Sequence, residues 1–83
     1  MNASAVGARI IDALEDAANR ETGGATALVS VNVEMLAPAG AGEVVVSVTR
    51  KTRTLIFLRA DFRAGDTTIA IANSVHKVAP PES

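Results

Sequence analysis

The sequence predicts an α+β fold in which one long helix packs on an antiparallel sheet of about four strands. The first observation behind this prediction is a helical run at about 4–20 with apolar residues along one side. The second is a series of four segments with alternating apolar and polar residues, the pattern of strands that bury one face. They lie at about 26–37, 43–53, 54–64 and 67–78. Their short connections favour a meander, in which consecutive strands pair.

The helix is predicted to begin at Ser4, which can act as an N-cap, and to end before Gly23 and Gly24, which accept a positive φ. At about 100° per residue, its apolar side chains form a single stripe. They are Val6, Ile10, Ala13, Leu14 and Ala17. Asp12 lies almost opposite this stripe. That polar side therefore meets water or another subunit.

Alternation along the first and last strands assigns one face of each to the core. In the first strand the predicted core side chains are Ala27, Val29, Val31, Val33 and Met35. In the last strand they are Ile69, Ile71 and Val75, which leaves Ala70, Ala72 and Ser74 on the outer face. His76, near the end of that strand, is expected at the surface.

The connections between strands carry breakers or charges. Residues 37–42 contain Pro38 and two glycines, which end a strand and permit a tight reversal. The run Arg50–Arg53 predicts a charged hairpin tip, and Ala64–Asp66 predicts a short turn. Residues 79–83 contain two prolines and are expected to be a tail that cannot extend a sheet.

The composition restricts the classes of function. Eighty-three residues predict one domain of marginal stability, for which a partner subunit is expected. The chain has no cysteine and one histidine, so disulfides and thiolate sites are excluded and no metal or cofactor is expected. A net charge of −1 without Tyr or Trp gives little support for nucleic-acid binding. With no signal-peptide pattern and no apolar run near about 20 residues, we expect a cytoplasmic protein without membrane association.

One segment, Val31–Ala39 followed by Gly42, resembles a strand of hotdog-fold acyl-CoA thioesterases, with its alternating apolar residues, Pro-Ala and a glycine. The valine-rich Val44–Arg50, then Arg53–Phe57 and Thr68–Ala72, are similar to the later strands of that family. The resemblance extends from Ala3 to Val78. It points to the phenylacetyl-CoA and hydroxybenzoyl-CoA thioesterase branches, with the first strand of the fold lacking here.

The resemblance implies a long helix wrapped by a curved sheet, with two subunits joining their sheets edge to edge as a homodimer or homotetramer. It also implies active sites between subunits, where a carboxylate acts on an acyl-CoA thioester and amides at the helix start polarise its carbonyl group. Asp12 matches the position of that acid. The family's His-Gly-Gly helix opening is replaced here by Ala3-Ser4-Ala5.

The resemblance assigns the other site residues as follows. Backbone amides of Ser4, Ala5 and Val6 would stabilise the oxyanion. Arg50, Lys51 and Arg53 would contact the phosphates of coenzyme A, for which charged side chains are suited. An ordinary charged hairpin tip explains these three residues equally well.

Other interpretations stay open from the sequence. An Asp in this position is more often a solvated helix residue than a catalytic one, and Glu15 or Asp16 could take its role. The chain could also be a catalytically silent hotdog module that binds an acyl ligand or serves assembly, or an unrelated helix-plus-sheet interaction domain. No serine lies in a Gly-x-Ser-x-Gly motif, so a serine hydrolase is not supported.

Overall fold

The computed structural model describes residues 2–79 as one helix followed by four antiparallel strands. The helix α1 spans Ala3–Thr22, and the strands are β1 (Thr26–Met35), β2 (Glu43–Lys51), β3 (Leu55–Ala64) and β4 (Thr67–Val78). The predicted bounds differ from these by at most two residues, and those of β4 agree. Of the predicted tail, residues 80–83 lie outside the described residues.

The helix begins one residue before the predicted start, and its cap is Asn2. The Asn2 side-chain Oδ1 accepts a hydrogen bond from the Ala5 amide at 2.8 Å. Ser4 therefore lies inside the first turn, and its prediction as the cap is wrong. The helix ends at Thr22, and its C-cap Gly23 has a left-handed φ of 70°, as predicted.

The strands are ordered β1-β4-β3-β2, so the predicted meander holds only for the last three. β1 pairs with β4, and residues 36–42 cross the end of the sheet to reach β2 at the opposite edge. The amides of Leu36 and Ala37 both donate to the Ile69 carbonyl oxygen as this crossing begins, at 2.8 and 3.1 Å. The breakers around Pro38 thus serve a crossover instead of a tight reversal.

Gly42, at the end of this crossover, lies directly against β3. A Cβ added here would lie 2.5 Å from the Arg63 carbonyl oxygen and 2.9 Å from Cε1 of Phe62. Only a residue without a side chain allows this approach.

Replacing Gly42 by alanine is therefore expected to destabilise the fold by roughly 1–3 kcal/mol, because the Arg63 backbone that the new Cβ would meet is held in β3 and cannot easily move away. Urea denaturation measures the loss. Gly40→Ala is the matched control, since a Cβ at that position has nothing within 4 Å. Equal stability of the two variants would show that the Gly42 contact is not tight in solution.

The core lies between one side of α1 and the sheet. From the helix it takes Val6, Ile10, Leu14, Ala17 and Ala18, and from β3 it takes Ile56, Leu58, Ala60 and Phe62. The helical stripe is confirmed in all but Ala13, which is half-buried, and so is the alternation along β3.

The predicted faces of β4 are wrong beyond Ile69, which is buried in the core as predicted. Ala70, Ala72, Ser74 and His76 pair with the buried residues of β3 and are themselves buried under the helix. Ile71 and Val75 are only half-buried on the outer face.

A bulge in β1 also changes its predicted face. The pairing passes from Leu28 opposite His76 to Ser30 opposite Val75, so Val29 has no partner and is 60% exposed. Leu28 thereby takes the helix-facing side in place of Ala27 and Val29. Beyond the bulge Val31 and Val33 pack against the core as predicted, whereas Met35 is exposed and its predicted core position is wrong.

His76 is fully buried, so its expected surface position is wrong. Its Nε2 lies 2.8 Å from Ser74 Oγ, and its Nδ1 has no partner within residues 2–79. Burial lowers the pKa of His76, and the Glu15 carboxylate opposes this effect only in part.

Lowering the pH through the ordinary histidine pKa of 6.5 is expected to destabilise the protein. Below pH 6.5 the histidine of the unfolded chain binds a proton, whereas the buried histidine of the folded chain does so only at a lower pH. The free energy of unfolding therefore has its full value above pH 6.5 and decreases as the pH falls towards the lower folded-state pKa. Thermal unfolding from about pH 7.5 to about pH 5.5 measures the effect, since there is one histidine. A His76→Gln control should show a flatter profile; identical profiles would contradict the assignment.

Candidate functional site

Asp12 lies exposed on α1. It lines an open cavity of about 510 Å³ between the helix and the start of β2. The other lining residues are Arg9, Ala13, Glu43 and Val44. This position gives the carboxylate both access to solvent and a polar neighbourhood, which a base acting on water requires.

Arg9 and Glu43 reach this cavity from different parts of the chain. Arg9 precedes Asp12 by three residues, so their side chains lie on neighbouring positions of the helix surface. Glu43 is brought there by the crossover before β2. The helical spacing could have drawn attention to Arg9, whereas Glu43 needs the observed sheet order.

The amides at the helix start are only partly available. Ala5 N–H donates to Asn2 Oδ1, and Val6 N–H donates to the Asn2 carbonyl oxygen at 3.1 Å. The Ser4 amide belongs to the first turn, where N–H groups have no intrahelical acceptor. Of the three predicted amides, Ser4 is thus the one still able to meet an oxyanion.

The basic residues lie at the other end of the helix. Arg50 and Lys51 end β2, and Arg53 lies in the turn that follows, as predicted. Lys51 Nζ donates to the Glu21 carbonyl oxygen at 2.8 Å, where an ammonium group also favours the negative end of the helix dipole. All three side chains are exposed.

The structure does not bring these three groups together within one subunit. Ser4 and Asp12 are eight positions apart, which is about 12 Å along a helix axis. Asp12 and Glu21 are nine residues apart, or about 13 Å. A single thioester therefore cannot touch both the Ser4 amide and the Asp12 carboxylate of the same chain.

Within residues 2–79, no group of three His, Cys, Asp or Glu side chains could hold a metal ion. No helix in the same range is long and apolar enough to cross a membrane.

No protein-family model matches the sequence, and no curated protein matches it either. Solved structures do match. A Bacillus halodurans protein solved with CoA has a TM-score of 0.85 at 14% identity, over 99% of this chain. The phenylacetic acid degradation protein PaaI from Thermus thermophilus has a TM-score of 0.85 at 17% identity, over 94% of this chain. The chain has the hotdog fold.

The hotdog fold that the family resemblance implied is thereby confirmed. Mouse thioesterase superfamily member 2 shares it as well, with a TM-score of 0.71 and 20% identity over 90% of this chain. This chain spans 58% of the Bacillus halodurans protein, 69% of PaaI and 64% of the mouse protein. At these identities the likeness concerns the hotdog architecture alone.

Proposed function

We propose that this chain is the subunit of an acyl-CoA thioesterase, which hydrolyses an acyl-CoA thioester at a site between two subunits. The observation that carries the proposal is the exposed Asp12 carboxylate in a polar cavity on the helix of a hotdog fold. Hotdog neighbours that include a thioesterase-superfamily protein and a CoA complex support it.

A homodimer joined at the β1 edge is part of the proposal. Of the six exposed large hydrophobic side chains in residues 2–79, four lie in β1 or directly after it: Leu28, Val29, Met35 and Leu36. β1 is an edge strand of ten residues with a single charged residue, Glu34. Such an edge favours pairing with another strand. Two β1 edges would join the sheets of two subunits, and two dimers could form a homotetramer.

The separation along α1 supports a shared site. Because Ser4 and Asp12 of one helix lie too far apart for one thioester, the Ser4 amide of one subunit would serve the Asp12 of its partner. A two-fold axis would create two equivalent sites of this kind.

In this site Asp12 would act as a general base on water. Asp12 takes one proton as the water oxygen bonds to the thioester carbonyl carbon, and the negative carbonyl oxygen accepts a hydrogen bond from Ser4 N–H. Collapse of this intermediate breaks the C–S bond, and the leaving thiolate takes the proton from Asp12. The products are a carboxylic acid and free coenzyme A.

The nucleotide end of coenzyme A would extend towards the basic turn. Arg50 and Arg53 are exposed there and suit a phosphate group. Lys51 would contribute its charge while its ammonium holds the Glu21 carbonyl oxygen. A cytoplasmic location, where acyl-CoA is available, belongs to the same proposal.

Release of free coenzyme A from short, long and aromatic acyl-CoAs tests the function. Turnover of at least one class by the purified oligomer is expected. Binding of these compounds without turnover would contradict the enzyme and favour a silent acyl-binding hotdog module.

A further inference from the structure

Arg9 is an exposed residue whose guanidinium group is held in place from two directions. Its Nη1 donates to the Gly42 carbonyl oxygen at 3.1 Å, and its Cζ lies 5.4 Å from the centroid of the Phe62 ring. Gly42 is itself confined by β3, and Phe62 is fully buried. The guanidinium group is therefore oriented before any ligand arrives.

This arginine has no carboxylate partner within residues 2–79. The ion pairs in that range are Arg20 with Asp16 and Arg59 with Asp61. Asp12 and Glu43 line the same cavity as Arg9, yet neither pairs with it. A guanidinium group has five N–H donors, and the contact with Gly42 uses one of them. The remaining donors can serve a ligand in the cavity.

We propose that Arg9 binds a carboxylate group on the acyl chain of the substrate, so that the substrate class is the CoA monothioester of a dicarboxylic acid. This inference rests on the proposed function. The planar fork of a guanidinium group matches the two oxygens of a carboxylate. The phosphates of coenzyme A could also bind a guanidinium group. The pantetheine arm, however, places these phosphates far from the thioester, and Arg9 lies near the residue that acts on the thioester.

The position of Arg9 relative to Asp12 sets the place of that carboxylate. Residues three apart on a helix have Cβ atoms about 5–6 Å apart, so a group held by Arg9 lies close to the carbon on which Asp12 acts. A short acyl chain with a terminal carboxylate meets this requirement. An aliphatic acyl chain of the same length would leave the Arg9 donors without an acceptor.

Binding of CoA thioethers tests the inference without any hydrolysis. S-butyl-coenzyme A and S-carboxypropyl-coenzyme A have matched chains, and calorimetry gives their Kd values for the wild type, Arg9→Gln and Arg9→Lys. The corresponding pantetheine thioethers lack the nucleotide phosphates. Arg63→Gln is the control, because Arg63 is an exposed arginine on β3 outside the cavity.

The wild type and Arg63→Gln are expected to bind the carboxylated thioether about tenfold more tightly than the butyl one, as for one charge-assisted contact. Arg9→Gln should lose this preference with an unchanged Kd for S-butyl-coenzyme A, and Arg9→Lys should retain part of it. A lower melting temperature with an unchanged ratio of Kd values would show a structural role only and overturn the inference.

Two other results would also overturn it. If Arg9→Gln raised the Kd of both CoA thioethers equally and left the Kd of the pantetheine thioethers unchanged, Arg9 would bind a phosphate of coenzyme A instead of the acyl carboxylate. If the wild type bound none of the probes, the proposed ligand site at Arg9 would be rejected. A carboxylate preference without hydrolysis of succinyl-CoA would instead refute the proposed thioesterase activity and leave the role of Arg9 intact.

Discussion

Replacing Asp12 by asparagine is expected to lower kcat for thioester hydrolysis by at least about 100-fold, because the amide cannot take a proton from water. The oligomer and its melting temperature should not change, since the Asp12 side chain is exposed and forms no ion pair within residues 2–79. Release of coenzyme A at saturating substrate measures the loss.

Asp16→Asn is the matched control for this variant. Asp16 is an exposed carboxylate on the same helix, but it is paired with Arg20 at 3.6 Å. Its replacement should leave kcat within about twofold of the wild type, as for a surface substitution away from the site. Unchanged turnover in Asp12→Asn would reject the role assigned to Asp12, and a loss in Asp16→Asn alone would move that role to Asp16.

Replacing Phe62 by alanine is expected to lower the free energy of unfolding by about 3–5 kcal/mol. Phe62 is fully buried between α1 and the sheet, and its ring also supports the Arg9 guanidinium group. A cavity in this place removes contacts from the helix, the crossover and β3 at once. For a domain of this size, such a loss is a large share of a total stability of about 5–15 kcal/mol.

Chemical denaturation of Phe62→Ala beside Phe57→Ala measures this effect. Phe57 is the other phenylalanine of the chain and lies half-buried on the outer face of β3. Its replacement should cost less than half as much, because water or a small shift can fill the space. Equal losses would contradict the assignment of Phe62 to the centre of the core.

The elements of the fold follow from local patterns in the sequence. The apolar stripe around Ile10 and the alternation along β3 depend on residues that are close in the chain, so periodicity predicts them. The partner of β1 depends on the path of residues 36–42. Alternation contains no information about that path, and β4 was therefore not predicted as the neighbour of β1.

The face of β4 shows a second limit. This strand has apolar residues on both sides, so its pattern alone does not decide which side is buried. The larger Ile71 is predicted in the core, whereas in the structure Ala72 and His76 are buried and Ile71 is half-buried. The surface position expected of His76 rests on its lacking an acidic or nucleophilic neighbour at motif spacing, whereas its burial depends on its pairing opposite the buried Ile56.

The candidate site was predicted in part. The acid at Asp12 followed from the family resemblance, while the cavity that it shares with Glu43 depends on a contact between distant segments. The cap formed by Asn2, which occupies the Ala5 amide, was likewise not predicted, because Ser4 competes with it as a capping residue.

The most direct test of the shared site mixes two inactive variants. Ser4→Pro removes the amide donor in a turn where proline is accepted, and Asp12→Asn removes the base. Each alone should be nearly inactive. If Ser4 of one subunit serves Asp12 of its partner, unfolding and refolding the two together should restore about one quarter of the wild-type activity, since half of the dimers then contain one intact site of two. A mixture no more active than either variant alone would contradict a site shared between subunits.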